Sequence, residues 1–111
     1  MSVPIQTTFR GVDSSETLKQ LIAKEAAKLE GIFARIVHCH VIVEHEALHS
    51  RSAAPFRVRI DLAVPGAEIA IDTARHKTAE ALALHRDVTL TIRDAFHRAR
   101  RRLQDWMRQR R

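Results

Sequence analysis

The sequence predicts a two-layer α+β domain with the element order β-α-β-β-β-α and a four-stranded mixed sheet. Four segments alternate apolar and polar residues, which is the period of a strand. Two longer segments repeat apolar residues with the period of a helix. Each predicted strand has a single apolar face, so we expect both helices to cover the same side of one sheet. Because 111 residues leave room for one hydrophobic core, we expect a single domain over residues 1–111.

The four strands are predicted from alternation and from the turn signals between them. Pro65 and Gly66 form such a signal between the last two strands. The first helix is a crossover connection, so strands one and two should be parallel, whereas strands two to four should form an antiparallel meander. The predicted strands are Val3–Phe9, Ile36–Glu46, Phe56–Val64 and Ala67–Thr73, and the polar stretch Leu48–Pro55 is predicted to be a loop.

The first helix is predicted over Ser14–Ala34, where apolar residues recur with helical spacing. Asp13 and Glu16 have the spacing of a capping box at its start. Glu25 falls inside the apolar stripe by its angle around the helix axis. Its carboxylate must therefore reach outward from the edge of the stripe or find a partner.

Residues 75–86 show no apolar stripe with either period. We therefore interpret them as a mobile loop, in which a helical turn around Thr78 to Leu84 can form. The missing periodicity also suggests that this segment becomes ordered only when the protein binds a partner.

Positive charge is concentrated in the last predicted helix, Asp87–Arg111, whose predicted N-cap is Asp87. This segment holds eight arginines and three aspartates, so it carries a net +5 of the chain's +6. A helix face that is merely solvated would be expected to mix both signs. Localised positive charge on one rigid element is instead typical of proteins that bind phosphate backbones. The charge pattern therefore predicts RNA binding.

The basic residues of this helix are unevenly spread around its axis. At about 100° per residue, most of them fall within roughly 100° of arc beside the buried stripe. Lys24 and Lys28 lie one turn apart on the first helix, and we expect the two basic rows to converge if the helices pack side by side. Arginine suits this task because its planar fork can donate two hydrogen bonds to one phosphate. The predicted RNA-binding residues are Lys24, Lys28, Arg93, His97, Arg98, Arg100, Arg101, Arg102 and Arg108.

The composition of the chain indicates the cellular compartment in which the protein is expected. Cys39 is the only cysteine, so no intramolecular disulfide can form, which favours a reducing cytoplasm. No apolar run approaches the ~20 residues needed to span a bilayer, and the N-terminus lacks the features of a signal peptide. Membrane binding through the last helix is disfavoured because the core needs its apolar stripe. We expect a cytoplasmic protein.

Six stretches of the chain and one single residue, taken in order, resemble one known family. They are Lys24–Glu30, Phe33–Ile36, Phe56–Leu62, Val64–Ile69, Asp87, Ile92–Phe96 and Ala99–Leu103. Together they resemble the ribosome hibernation-promoting factors, a family that includes the ribosome-associated translation inhibitor and was formerly called sigma-54 modulation protein. The likeness covers nearly the whole chain, although no single stretch is diagnostic.

The resemblance implies a fold like that of double-stranded-RNA-binding domains and a role on the ribosome. Members are expected to dock in the decoding region of the small ribosomal subunit, in the space of transfer and messenger RNA, and to silence idle ribosomes. The implied partners are the small subunit and its ribosomal RNA, with no cofactor and no small-molecule substrate. By position, Lys28, Arg98 and Arg101 match basic sites of the family, whereas charge and geometry add Arg93, Arg100, Arg102 and Arg108.

Three features depart from the family pattern. Glu25 stands where relatives often have a basic residue, so the contact from the first helix should be weaker or shifted to Lys24. Thr89 replaces a frequent tyrosine near the start of the last helix. Because the sequence stops at Arg111, we also expect no C-terminal dimerisation domain of the kind that long-form members use to pair ribosomes.

The third functional hypothesis is a small metal-dependent enzyme or metal carrier that uses a histidine-bearing face of the second strand. His38 and His40 share one face of a strand, and Glu44, Asp61 or Glu68 could supply a third ligand, but two histidines without a defined third ligand are weak evidence. We therefore expect no bound metal.

Two further features have structural explanations. Cys39 alternates with the histidines and should point into the core, where thiols are inert. The strand carboxylates of Asp61, Glu68 and Asp72 lie beside Arg57 and Arg59, which favours cross-strand charge pairing.

The sequence contains no phosphate-binding glycine loop, nucleophile elbow or zinc-type cysteine spacing, so we expect no enzymatic activity. A generic structured-RNA-binding module that acts away from the ribosome is the second functional hypothesis.

Overall fold

The computed structural model describes residues 3–45, 55–75 and 78–110. Its strands and long helices follow the predicted order, and one short helix is added before the last. The elements are β1 (Ile5–Arg10), α1 (Glu16–Ile32), β2 (His38–His45), β3 (Phe56–Val64), β4 (Ala67–Asp72), a 3-10 turn (Thr73–Arg75), α2 (Ala79–Leu84) and α3 (Val88–Gln109). The loop predicted over Leu48–Pro55 lies outside the described residues, apart from Pro55 itself.

The four strands form one mixed sheet in the order β1-β2-β3-β4. β1 and β2 are parallel, with Ile5 opposite Cys39, and the other two pairings are antiparallel. The turn between β3 and β4 contains Gly66 at φ +80°, a left-handed conformation that favours glycine. The predicted parallel and antiparallel pairings are confirmed.

The hydrophobic core lies between one face of the sheet and the two long helices. Aliphatic residues on the inner face of the sheet meet the apolar stripes of α1 and α3. Ala95 and Ala99 are fully buried, and their small side chains allow α3 to lie close to the sheet. Other fully or almost fully buried core residues include Ile22, Leu29, Val41, Val43, Val58, Ile60, Leu62, Ile92 and Leu103. The two-layer α+β prediction is confirmed.

The start of α1 differs from the predicted capping box. Ser15, not Asp13, is the N-cap, and its hydroxyl oxygen accepts a hydrogen bond from the Leu18 backbone N–H at 3.3 Å. Both side chains are suitable caps, so composition alone could not distinguish them. The helix ends at Ile32, two residues before the predicted end, with Phe33 as C-cap in an extended conformation.

The stretch predicted as a loop over residues 75–86 contains α2. The Thr78 hydroxyl oxygen caps this helix by accepting from the Ala81 N–H at 3.1 Å, so the helical turn predicted around Thr78 to Leu84 is confirmed. Ala81 and His85 are buried, and the His85 carbonyl accepts from the Phe56 N–H at 3.2 Å. Six residues are too few to show a helical period, which is why the pattern missed this element. Its mobility stays a prediction, and residues 76 and 77 lie outside the described residues.

The outer face of the sheet carries two diagonal cross-strand ion pairs. Arg57 donates to Asp72 through two nitrogens, at 3.0 and 2.6 Å. Arg59 donates to Glu44 at 3.1 and 2.8 Å. Charge pairing was therefore predicted correctly for Asp72, whereas the partner of Arg59 is Glu44 and not one of the predicted carboxylates. The hydrogen bonds from Arg57 lower the pKa of Asp72 below its ordinary value.

Candidate nucleic-acid interface

The first basic surface is a groove between α1 and α3, which pack against each other. We call it the α1–α3 groove; its volume is about 390 Å³ and its floor includes Leu29 and Phe96. Its basic lining residues are Lys24, Lys28, Arg93, His97 and Arg100. The predicted convergence of the two basic rows is therefore present for these residues.

Glu25 lines the same groove, and its carboxylate forms an ion pair with Lys28. Its carboxylate is 2.8 Å from the Lys28 ammonium group, and its side chain is only 14% exposed, compared with 59% for Lys28. This ion pair neutralises one of the two lysines. Lys24 has no ion-pair partner among residues 3–45, 55–75 and 78–110, so of these two lysines it is the one that can bind an external anion without breaking an internal ion pair.

The second basic surface lies on the opposite flank of α3, against the edge of the sheet. We call it the α3–β4 groove; its volume is about 330 Å³ and it is bordered by Ala70 and Ile71 of β4. Its charged lining residues are Arg75, Arg98, Arg101, Arg102, Asp72 and Asp105. The arginines of α3 are therefore divided between two grooves. They do not all lie on the single positive surface that the helical arc predicted.

Arg75 was missed at the sequence level because residues 75–86 were assigned to a loop. It ends the 3-10 turn that follows β4. Two contacts hold that turn: the buried Thr73 hydroxyl oxygen accepts from the Val58 N–H at 3.0 Å, and Asp72 accepts from the Ala74 N–H at 3.0 Å. A basic residue shortly after the last strand was the one available signal in the sequence, and it is weak.

Arg98 is held in place by Asp94, one turn earlier on α3, and Asp94 also contacts His85 in the segment before the helix. Asp94 Oδ2 accepts from Arg98 Nε at 3.1 Å and lies 2.8 Å from His85 Nε2. Burial alone would raise the pKa of Asp94, but the hydrogen bonds from His85 and Arg98 outweigh it, so this pKa lies below its ordinary value. The ionised carboxylate therefore orients Arg98 while leaving both terminal guanidinium nitrogens for another acceptor.

Arg108 lies in neither groove. It forms an ion pair with Asp105 and lines a shallow cavity together with Ile32 and Met107 near the end of α3. Close to this end, Trp106 packs edge-on against Phe33, with Arg110 over the indole ring at 4.6 Å. Arg108 is therefore the predicted site residue that the structure separates from the others.

The described residues do not support the rival metal site. His40 is engaged by the Thr8 hydroxyl at 3.0 Å, and Glu44 is paired with Arg59. Within the three described ranges, no group of three or more His, Cys, Asp or Glu side chains is arranged to hold a metal ion. Cys39 is buried as predicted, and burial, with a smaller effect from Asp61, raises the pKa of its thiol to about 12.

None of the described helices combines the length and the apolar character that crossing a membrane requires.

Comparison with solved structures shows a shared fold. A ribosomal subunit interface protein from Coxiella burnetii is 21% identical to this chain and superimposes with a TM-score of 0.72, covering 95% of this chain and 98% of its own. The N-terminal domain of protein Y from Thermus thermophilus is 14% identical, with a TM-score of 0.68 and coverages of 96% and 99%. Both similarities therefore extend over almost the whole of each chain.

Two comparisons of the sequence gave different results. Among curated protein sequences, none matches the chain significantly. The model of the family described as sigma 54 modulation protein / S30EA ribosomal protein matches residues 5–111. The family resemblance found in the residues is thereby confirmed, and this chain belongs to the sigma 54 modulation protein / S30EA ribosomal protein family.

Proposed function

We propose that this protein is a non-enzymatic, cytoplasmic, ribosome-associated factor that binds ribosomal RNA in the decoding region of the small subunit. By occupying that region it inhibits translation and keeps idle ribosomes in a hibernating state. The observation that carries the proposal is the pair of arginine-rich grooves on the flanks of α3, in a chain that belongs to a ribosomal family.

The structural relatives support the same conclusion. One of them is described as a ribosomal subunit interface protein, and the present chain covers nearly all of it. A factor of this kind needs a rigid body with a strongly positive surface, because RNA binding is dominated by contacts with the phosphate backbone. Here the core stabilises the inner face of α3, which leaves its outer residues for RNA. The proposed RNA-binding residues are Lys24, Lys28, Arg93, His97, Arg98, Arg100, Arg101, Arg102 and Arg108.

The lack of neighbouring negative charge distinguishes this surface from an ordinary solvated helix face. Arg93, Arg100 and Arg101 are exposed and have no ion-pair or hydrogen-bond partner among the described residues. Unpartnered arginines on a folded helix lose little when they exchange water for phosphate oxygens, because no internal contact has to be broken.

The first experiment is co-sedimentation with purified small ribosomal subunits at physiological salt. We expect saturable binding at one copy per subunit, competition by initiator transfer RNA, and loss of binding in Arg98→Glu/Arg101→Glu. Since Arg98→Glu places a carboxylate beside Asp94, the pair Arg100→Glu/Arg101→Glu provides a second test in which no internal contact is removed. Arg10→Glu/Lys19→Glu is the matched control, with the same change of net charge outside both grooves.

Each alternative result has a defined meaning. If the natural chain stays in the supernatant, the ribosome assignment is wrong. If it binds structured RNA of unrelated sequence as tightly as it binds the small subunit, the generic RNA-binding module is the better description. If the matched control loses as much binding as the groove variants, the attraction is diffuse and the proposed residues are not the site.

A further inference from the structure

The α3–β4 groove brings together four arginines from two different elements. Arg98, Arg101 and Arg102 come from α3, and Arg75 comes from the 3-10 turn after β4. The turn is anchored by the buried side chain of Thr73, so Arg75 is an exposed residue on an ordered support.

The two acidic residues of this groove are already neutralised by arginines that do not line it. Asp72 accepts two hydrogen bonds from Arg57, at 3.0 and 2.6 Å. Asp105 is paired with Arg108. The arginines of the groove are therefore not needed to compensate these carboxylates, and the groove keeps an excess of positive charge.

Many guanidinium N–H groups in this groove remain available to hydrogen-bond a phosphate. Arg75 and Arg101 have no hydrogen-bond or ion-pair partner in the described part of the chain. Arg98 uses only Nε, toward Asp94, and Arg102 uses one terminal nitrogen, toward the Ala70 carbonyl at 3.2 Å. Guanidinium groups partly fixed in this way lose less side-chain entropy when they bind a phosphate than free ones do.

This groove and the α1–α3 groove are separated by the body of α3. Arg100 and Arg101 are sequence neighbours about 100° apart on the helix, and each lines a different groove. A helix with its side chains is roughly 10–12 Å across. One stretch of backbone that fills one groove is therefore not positioned to fill the other.

We propose that the α3–β4 groove binds a second segment of RNA phosphate backbone, distinct from the segment in the α1–α3 groove, with Arg75 as an added contact. This inference rests on the proposed function. It places α3 between two segments of folded ribosomal RNA. A protein with two such grooves selects places where two backbones run close together, so it recognises RNA shape rather than base sequence.

The first test locates the two segments directly. Single cysteines are introduced as Ala27→Cys, beside Lys24 and Lys28 on α1, and as Ala74→Cys, beside Arg75, and each carries a tethered iron chelate that generates hydroxyl radicals. Both alanines are exposed, and Cys39 is buried with a raised thiol pKa, so the natural chain serves as the unlabelled control. On small subunits we expect each tether to cleave its own set of ribosomal RNA positions.

The outcomes separate this inference from the proposed function. Coincident cleavage from both tethers, or cleavage from Ala27→Cys alone, would overturn the second-segment proposal while leaving ribosome binding intact. Crosslinking of the α3–β4 groove to a ribosomal protein, with no cleavage of RNA, would also overturn it. Absence of cleavage from both tethers, together with failure to co-sediment, would overturn the proposed function and this inference with it.

The second test measures the charges that each groove contributes. The pairs Arg75→Glu/Arg101→Glu and Arg93→Glu/Arg100→Glu remove the same charge from different grooves, and Arg10→Glu/Lys19→Glu is the control outside both. We expect each groove pair to weaken binding about tenfold or more and to reduce the slope of log affinity against log salt by about two. The control should change the slope by much less, and an Arg75→Glu/Arg101→Glu variant that behaves like the control would refute the proposal.

Discussion

The outer face of the sheet and the outer flanks of α3 both carry arginines, but the two surfaces differ in whether those arginines form ion pairs. On the sheet, Arg57 and Arg59 are each bound to a carboxylate of a neighbouring strand. On α3, Arg93, Arg100 and Arg101 have no such partner among the described residues. The two surfaces therefore differ in whether a local carboxylate neutralises each arginine, and not simply in how many arginines they carry. Four substitutions, in order of decreasing expected effect, test this contrast.

Leu103→Ala should produce the largest effect, and it acts on stability. Leu103 is fully buried on the inner face of α3, and truncation of a buried leucine costs about 2–5 kcal/mol through lost transfer energy and the cavity left behind. Urea unfolding followed by circular dichroism measures the change. Arg100→Ala, on the outer side of the same helix, is the matched control and should shift the free energy of unfolding by less than about 0.5 kcal/mol. Equal losses for the two variants would contradict the division of α3 into a structural and a binding face.

His85→Ala tests the surroundings of Arg98, the groove arginine that is paired with an acidic residue among the described residues. The change removes the part-buried hydrogen bond to Asp94 and truncates a buried side chain, so we expect a loss of about 1–3 kcal/mol in unfolding free energy. Hydrogen exchange should also show faster opening of Ala81 and Leu82 in the variant. Unchanged exchange there would mean that α2 does not depend on this contact.

Arg57→Gln should affect stability slightly and RNA binding hardly at all. The ion pair with Asp72 is partly exposed, so its loss should cost less than about 1 kcal/mol. The pKa of Asp72 is lowered in the folded protein, so the stability from its ionised form is complete above the ordinary value of 3.8 and is lost as pH falls through the lower folded value. In the natural chain we expect unfolding free energy to drop in that acidic range, with a smaller drop in the variant. A tenfold loss of small-subunit binding at neutral pH would contradict the paired-face interpretation.

Gly31→Ala should have the smallest effect and the opposite sign. Gly31 lies in the last turn of α1, and an added Cβ atom meets nothing within 4 Å. The substitution should stabilise the protein by up to about 1 kcal/mol without changing affinity for small subunits. A loss of affinity would show that binding depends on the flexibility of this turn.

Particular residues show where sequence reasoning succeeded. Phe56 to Val64 alternates so regularly that β3 was predicted with its observed bounds. Asp87 was predicted as the N-cap of the last helix, and its carboxylate accepts from the Leu90 N–H at 3.0 Å. In both cases the signal resides in a few consecutive residues. The start of α1 was harder because Asp13 and Ser15 are equally good caps by composition, and only the path of the chain selects one.

The sequence by itself determined the order of strands and long helices, the burial of Cys39 and the concentration of positive charge on α3, because periodicity and charge are properties of the local chain. Tertiary structure decided the rest. The docking of α2 depends on contacts with β3 and Asp94, and the pairing of Arg59 with Glu44 depends on strand register. The division of the arginines into two grooves, and the entry of Arg75 into one of them, arise because α3 lies between α1 and the edge of β4. These arrangements join residues far apart along the chain, and no local pattern encodes the distance between them.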